Sequence, residues 1–200
     1  MSKELPDELL MERYQRGDAR AFELLVLRHQ GPVYNFVLRI LGHREAAEDV
    51  LQEVFIRIVK GAAQFERRAK FTTWAYTIAR NLCIDAQRKA KYRRVDSLDQ
   101  GLDDDPDSPS LGASIGDGAR GVDERAFDVQ VRLVMVEAIR ALSEEQREVF
   151  TLREYAGLPF QEIASIVGCP ENTVKSRMRY ALENLRKRLE AAGIGNPVEG

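Results

Sequence analysis

Between Asp99 and Gly121 the chain reads DQGLDDDPDSPSLGASIGDGARG. Gly, Pro, Ser and Asp dominate this stretch, and large apolar side chains are scarce. Such a segment cannot bury enough surface to offset the entropy lost on ordering it. It therefore divides the 200 residues into two units of about 90 and 70 residues, each able to hold a small core. The expected organisation is a first domain at 1–94, an acidic flexible connector at 95–128, a second domain at 129–192 and a C-terminal tail at 193–200. No internal repeat is evident.

The formal net charge is −2, which as a total points to neither a nucleic-acid nor a membrane-surface partner. The total averages unlike parts. Residues 1–94 carry a net of +6, residues 95–130 a net of −8 and residues 131–200 a net of 0, and such asymmetry is more informative than the sum. Basic side chains crowd 65–94 and again 174–188, so two basic stretches flank one acidic stretch.

No apolar run reaches the roughly 18 residues a membrane span needs. The N-terminus has no signal-peptide core. Cys83 and Cys169 form no CxxC pair, and His29 and His43 stand at no ligand spacing. We expect no metal, no cofactor and a cytoplasmic chain without membrane insertion.

Both domains read as all-α, because apolar residues recur at three- and four-residue spacing and no strand-like alternation appears. After a short helix near 7–16, Phe22 to Ile40 predicts a long helix adjusted at Gly31-Pro32. A second carries Ala47, Val50, Leu51, Val54, Phe55, Ile58 and Val59, and a third carries Phe71, Ala75, Ile78, Leu82 and Ala86. In the second domain Val129, Leu133, Val136, Ile139 and Leu142 mark one helix. Ser143 with Gln146 predicts a capping box for the next. Phe160 to Val167 is a short helix stopped at Gly168, and Pro170 opens the last helix, striped by Val174, Met178, Ala181, Leu185 and Leu189.

Short helix, glycine turn and basic helix together read as a helix-turn-helix. Asn172, Thr173, Lys175, Ser176, Arg177 and Arg179 stand on or beside the face opposite the apolar stripe. Arg and Lys reach guanine edges, Asn pairs with adenine, and Ser and Arg hold phosphates. The alternative is a merely solvated basic face.

The third helix of the first domain differs. Trp74 lies about 100° off its stripe, with Asn81 and Arg88 at heptad spacing on the same side. Thr72, Thr73, Tyr76, Thr77 and Arg80 fill the rest of the outer surface, and Arg67, Arg68 and Lys70 precede it. A ring face, an amide and cations are what capture of unpaired bases requires. The alternative is Trp74 as core and Asn81 as ordinary surface. On the second helix Asp49, Gln52, Glu53, Ile56 and Lys60 share the side away from the stripe, a mixed face suited to docking a protein.

At this point the residues resemble a family. The chain resembles an extracytoplasmic-function (ECF) sigma factor, a group-four member of the housekeeping-sigma family. ELLVLRHQGPVYNFVLRILGHREAAEDVLQEVFIRIVKGAAQF resembles the first parts of sigma region two, and FTTWAYTIARNLCIDAQRK its promoter-melting and −10 recognition helix. LSEEQREVFTLREYAGLPFQEIASIVGCPENTVKSRMRYALENLRKRL resembles sigma region four.

The resemblance implies an alternative sigma factor and no enzyme. Its partners would be core RNA polymerase (the β′ clamp and β flap), promoter DNA and an anti-sigma factor, which can hold such a factor at the membrane. Asp49, Gln52, Glu53 and Ile56 would bind polymerase, with Phe55 structural. Arg67, Arg68, Lys70, Trp74, Thr77, Arg80, Asn81 and Arg88 would serve the melted −10 strand. Asn172, Thr173, Lys175, Ser176, Arg177 and Arg179 would serve the −35 duplex. Residues 65–70 (Phe-Glu-Arg-Arg-Ala-Lys) depart from the family's Phe-Arg-Gly-rich loop, and Ala75 stands where housekeeping members carry a second Trp. In related factors the connector threads the polymerase's RNA path. The acidity of Asp103, Asp104, Asp105 and Asp107 would imitate RNA there, with a solvated tether as the alternative.

Two other classes compete. A LuxR-type helix-turn-helix regulator shares the spacing of the last helices, but the DVLQEVF and TTWAYTIARN helices argue against it. An enzyme would need a nucleophile elbow, phosphate loop or paired carboxylates, and none stands out.

Overall fold

Local signals mark several of the helix ends. A computed structural model of the chain describes residues 5–66, 68–98 and 122–194, with side chains over 5–66, 68–92 and 130–194. Its order is α1 (Asp7–Gln15), α2 (Ala19–Leu41), α3 (Arg44–Gly61), a 3₁₀ turn (Ala62–Gln64), α4 (Phe71–Leu98), α5 (Val122–Arg140), α6 (Glu144–Glu154), α7 (Phe160–Val167) and α8 (Glu171–Ala191). No strand occurs among the described residues.

Asp18 opens α2 by accepting from the Ala21 N–H, and Gly42 closes it at φ +77°, a left-handed conformation that glycine adopts without steric cost. The helix passes through Gly31-Pro32 unbroken, so the expected adjustment does not divide it. Ser143 accepts from the Gln146 N–H as expected. The other half of the capping box is not made. The Gln146 side chain instead accepts from Asn184 on α8 at 3.1 Å, and so ties α6 to the last helix.

The first unit packs α2, α3 and α4 around Leu25, Val33, Phe36, Val54, Ile58 and Phe71, all essentially inaccessible. The second packs α6, α7 and α8 around Leu152, Ile163, Val174 and Ala181, with α5 against α8. Val59 and Leu133, assigned to apolar stripes by their type, are instead exposed at 43% and 52%. Leu142 is buried, but beyond the end of α5. Helix also enters the expected connector at both ends, to Leu98 and from Val122. Neither flank contains Gly or Pro, which are confined to the acidic stretch between them. That stretch, with Asp103, Asp104, Asp105 and Asp107, lies outside the described residues.

The two units do not stand apart. α4 of the first packs against α7 of the second, and α2 packs against α6.

Candidate nucleic-acid interface

The approach to α4 is held from a distance. Gln15, the last residue of α1, donates to the carbonyls of Ala62 at 2.7 Å and Phe65 at 2.9 Å. Glu8, in the first turn of α1, accepts from the Phe71 N–H at 3.2 Å. The segment between α3 and α4 is thus clamped at both ends by one short helix. A cleft of about 310 Å³ opens between them, lined by Pro6, Glu8, Leu9, Arg68, Ala69 and Lys70. Arg68 and Lys70 are exposed, and Arg68 bonds Glu66 at 3.0 Å. Arg67 lies outside the described residues.

α1 is itself fixed by Asp7. Its carboxylate accepts from Arg28 and, at 2.8 Å, from His29 Nε2, both on α2. Burial would raise the Asp7 carboxyl, but the His29 and Arg28 bonds outweigh it and hold it below the usual carboxylate range. His29 is buried, 5.0 Å from the Phe71 ring, which places it in the core.

Along α4 the side chains sort into three faces. Phe71, Ala75, Ala79 and Leu82 are buried. Tyr76, read from sequence as outer surface, is 2% exposed and meets Phe36 edge-on at 5.5 Å. The buried arc is therefore wider than a four-residue stripe. Burial pushes the Tyr76 hydroxyl and the Cys83 thiol well up, the latter to about 12.

A second face carries Trp74, Thr77, Asn81 and Arg88. Asn81 and Arg88 are exposed. Thr77 donates its hydroxyl to the Thr73 carbonyl at 2.7 Å. Trp74 is half-buried against Phe65 and Phe71, with ring centroids 5.1 and 6.3 Å away. A Cβ at Gly61 would stand 3.0 Å from the Trp74 ring, so the absent side chain is what seats the indole. The indole is thus anchored in the core and open along one side, between the two sequence readings.

The third face is spoken for. Arg80, expected to be free for DNA, is paired to Glu148 of α6. Thr72 and Thr73 donate to one oxygen of Glu162 on α7, at 2.9 and 3.2 Å. Periodicity within one domain could not reveal this, since the partners belong to the other.

On α8, Val174 and Met178 face the core while Asn172, Lys175, Ser176 and Arg179 are exposed. Thr173 is half-buried. Ser176 bonds back to the Asn172 carbonyl at 2.9 Å, Lys175 pairs with Glu171 at 2.7 Å and Arg179 lies over the Tyr180 ring at 4.9 Å. Arg177 differs: half-buried, it directs a guanidinium N–H to Cys169 Sγ at 3.7 Å. Gly168, at φ +71°, makes the turn between α7 and α8.

On α3, Asp49, Gln52 and Ile56 are exposed and Glu53 is half-buried, bonded to Arg57 at 2.9 Å. Val59, which periodicity assigned to the core, extends this face beside Ile56, both more than 40% exposed. Phe55 is half-buried and meets Phe22 edge-on at 6.5 Å. No helix is long and apolar enough to cross a membrane among the described residues.

Comparison with known proteins now bears on these surfaces. Sigma-70 region 2 matches residues 25–93, and Sigma-70, region 4 matches residues 132–185. The RNA polymerase sigma-H factor of Pseudomonas aeruginosa is 35% identical over 190 residues, covering 92% of this chain and 94% of that protein. The ECF RNA polymerase sigma-E factor of Escherichia coli K12 is 34% identical over 194 residues, covering 95% and 97%. Among solved structures, the sigma factor RpoE in complex with the anti-sigma factor NepR from Bartonella quintana aligns at TM-score 0.67 and 23% identity, over 86% of this chain and 98% of that one. CnrH in complex with the cytosolic domain of CnrY aligns at TM-score 0.66 and 20% identity, over 92% and 97%. These two likenesses concern the fold.

Proposed function

The chain belongs to the sigma-70 family, in its ECF branch, and from that premise we propose how it selects a promoter. It binds core RNA polymerase through Asp49, Gln52, Glu53 and Ile56, with Val59 completing the apolar part of that face. The holoenzyme reads the −35 element as duplex through α8 and captures the −10 element as a melted strand on α4. The observation that carries this reading is a shared division of labour in α4 and α8. Each buries an apolar stripe in its own core and turns a cationic, amide-bearing strip outward.

On α8, Asn172, Thr173, Lys175, Ser176 and Arg179 have the chemistry of major-groove contact, edges for Asn and Arg and phosphates for Ser and Lys. Arg177 contributes by bracing the turn at Cys169 as well as by charge. On α4, Trp74 offers a ring face for stacking an unpaired base, Asn81 an amide, and Thr77, Arg80 and Arg88 polar and cationic support, with Arg67, Arg68 and Lys70 upstream. Melting then proceeds by trapping bases as they unstack, at about a few kcal/mol per base, offset by stacking and phosphate contacts. Holding both units on one polymerase makes the second contact intramolecular. No covalent chemistry is required of the chain. Its site of action is the cytoplasm, and an anti-sigma protein is the expected regulator.

Co-purification with core polymerase and run-off transcription on genomic fragments test the reading. Promoter-specific transcripts that require this chain are expected; operator binding without polymerase would favour the LuxR-type alternative. Trp74→Ala is expected to reduce open complexes by about tenfold, the loss of one stacked base, while closed-complex binding is largely kept. Equal losses in both would remove the melting role. Neutralising Asp103, Asp104, Asp105 and Asp107 is expected to alter initiation or escape without changing promoter choice; unchanged transcription leaves the acidity as that of a solvated tether.

A further inference from the structure

Side-chain bonds between the two units fall on three groups of α4 suited to hold phosphate. Arg80 gives its guanidinium to the Glu148 carboxylate, with a further contact between Arg80 Nη2 and Glu148 Oε2 at 3.4 Å. Thr72 and Thr73 converge on one Glu162 oxygen. A guanidinium and paired hydroxyls around anionic oxygens are what a strand's phosphates would receive from the same face. Around the contacts, a cleft of about 550 Å³ sets Arg80, Arg88 and Lys91 of α4 against Glu144, Glu145 and Glu148 of α6. On the side of the seam where α2 meets α6, Arg39 lies over the Tyr155 ring at 3.5 Å.

We propose that in the free chain the second unit masks α4 from within, its Glu148 and Glu162 carboxylates occupying the phosphate-holding groups Arg80, Thr72 and Thr73. The inference rests on the assignment of α4 to a melted strand and adds its regulation.

The mask is selective. Asn81 remains exposed and Trp74 half-exposed, and the cations Arg68, Lys70 and Arg88 are exposed as well, so the closed chain keeps the groups that read bases and its outer cations. It loses Arg80, Thr72 and Thr73, a share of the backbone contacts from which most of the affinity comes. Glu162 lies on α7, the first helix of the helix-turn-helix, and that element crosses the DNA backbone in such motifs. One contact therefore engages both DNA-facing units, and strand capture requires the seam to open. Its hydrogen bonds and ion pair run beside apolar side chains of the first unit, Phe36, Ile40, Cys83 and Ile84, that line the same cleft. Because a strand competes only for the open fraction, closure lowers apparent affinity in proportion to the open population.

The test reads shape and strand binding separately on the full chain without polymerase. Small-angle X-ray scattering reports closure. Quenching of Trp74, the single tryptophan, by a random-sequence single-stranded DNA of about 12 nucleotides reports capture. Glu148→Arg with Glu162→Gln sets like charge against Arg80. It is expected to expand the chain and tighten the oligonucleotide by about tenfold, as release from a ten-to-one closed population requires.

Glu190→Arg, exposed near the far end of α8, carries the Glu148→Arg change in charge without touching the seam and should leave shape and Trp74 quenching near wild type. Arg80→Glu combined with Glu148→Arg restores opposite charges and should restore the compact shape. Should any variant at Glu148 fail to fold, Arg39→Gln weakens the seam from its other side with α4 intact and should tighten the oligonucleotide by about fourfold. A wild-type chain already extended in solution overturns the proposal, as does expansion without tighter binding. Run-off transcription by the same variants keeps the two readings distinct. Transcription with no masking retires this inference alone, and masking with no transcription retires the promoter assignment.

Discussion

Asp7 and Glu148 are both carboxylates withdrawn from water, with side chains 15% and 13% exposed, yet they are held in opposite ways. Asp7 lies inside the first unit and accepts from both Arg28 and His29. Those bonds outweigh burial, and its carboxyl is lowered. Glu148 lies at the seam between units. Burial raises it more than Arg80, to which it is hydrogen-bonded, and the more distant Arg177 can lower it, with Glu145 adding to the rise. Equal exposure thus conceals unequal compensation, since a buried charge is stabilised only as far as donors replace the water it lost. The knot at Asp7 joins α1 to α2 within one domain. At the seam, burial leaves the Glu148 charge less fully compensated than that of Asp7.

The largest expected effect lies in breaking the knot. Asp7→Asn leaves Arg28 and His29 facing a neutral amide and should destabilise the first unit by about 2 kcal/mol at neutral pH. It should also loosen the Phe71 cap, because α1 carries both Asp7 and Glu8. Thermal unfolding measures the loss. The sign with pH follows from the lowered carboxyl. Its contribution is complete above the ordinary value of about 3.9 and is lost as pH falls through the still lower folded value. Wild type and D7N should therefore converge in acid. A gap that persists there would mean that the substituted amide disturbs packing rather than charge.

The same contrast explains what could be read from the chain alone. Helix order, the helix-turn-helix and its outward residues were legible because they rest on local signals: the Ser143 cap, the Gly168 turn, Pro170, and the stripe from Val174 to Leu185. The clamp of α1 was not, since Gln15 and Glu8 reach partners 47 to 63 residues away. Nothing in the spacing of polar residues announces such bonds. The side of α4 that meets the second unit is not legible for a related reason. Arg80 points away from its own domain's stripe, which periodicity scores as solvent, but a second domain occupies that solvent. Val59 and Leu133 show the converse, apolar by type and left exposed.

Smaller effects sharpen the comparison from the side of the seam. Arg39→Gln removes the guanidinium from the Tyr155 ring. It should cost the closed arrangement about 1 kcal/mol, roughly a fivefold shift toward the open form, while the unfolding temperature of the first unit stays near wild type. Scattering and thermal unfolding on one sample separate the two. If the unfolding temperature falls with closure unchanged, Arg39 belongs to the domain and not to the seam.

The smallest effect concerns protons at Glu148 and runs opposite to that at Asp7. The titratable and charged groups around it are Arg80, Cys83, Arg88 and Lys91 on α4, Arg177 on α8, and Glu144, Glu145 and Arg147 on its own helix. Opening returns its raised carboxyl to the ordinary value of about 4.3, so the closed form binds the proton more tightly. Its contribution to closure is fully present below that ordinary value and is lost as pH rises through the raised one. Scattering at constant ionic strength should find the free chain more compact at mildly acidic than at neutral pH. Glu148→Gln, neutral throughout, should hold the acidic shape and flatten the profile. Compaction that grows with rising pH, or a profile unchanged in E148Q, would show that Arg80 fully compensates Glu148, and the seam would then be as settled as the knot at Asp7.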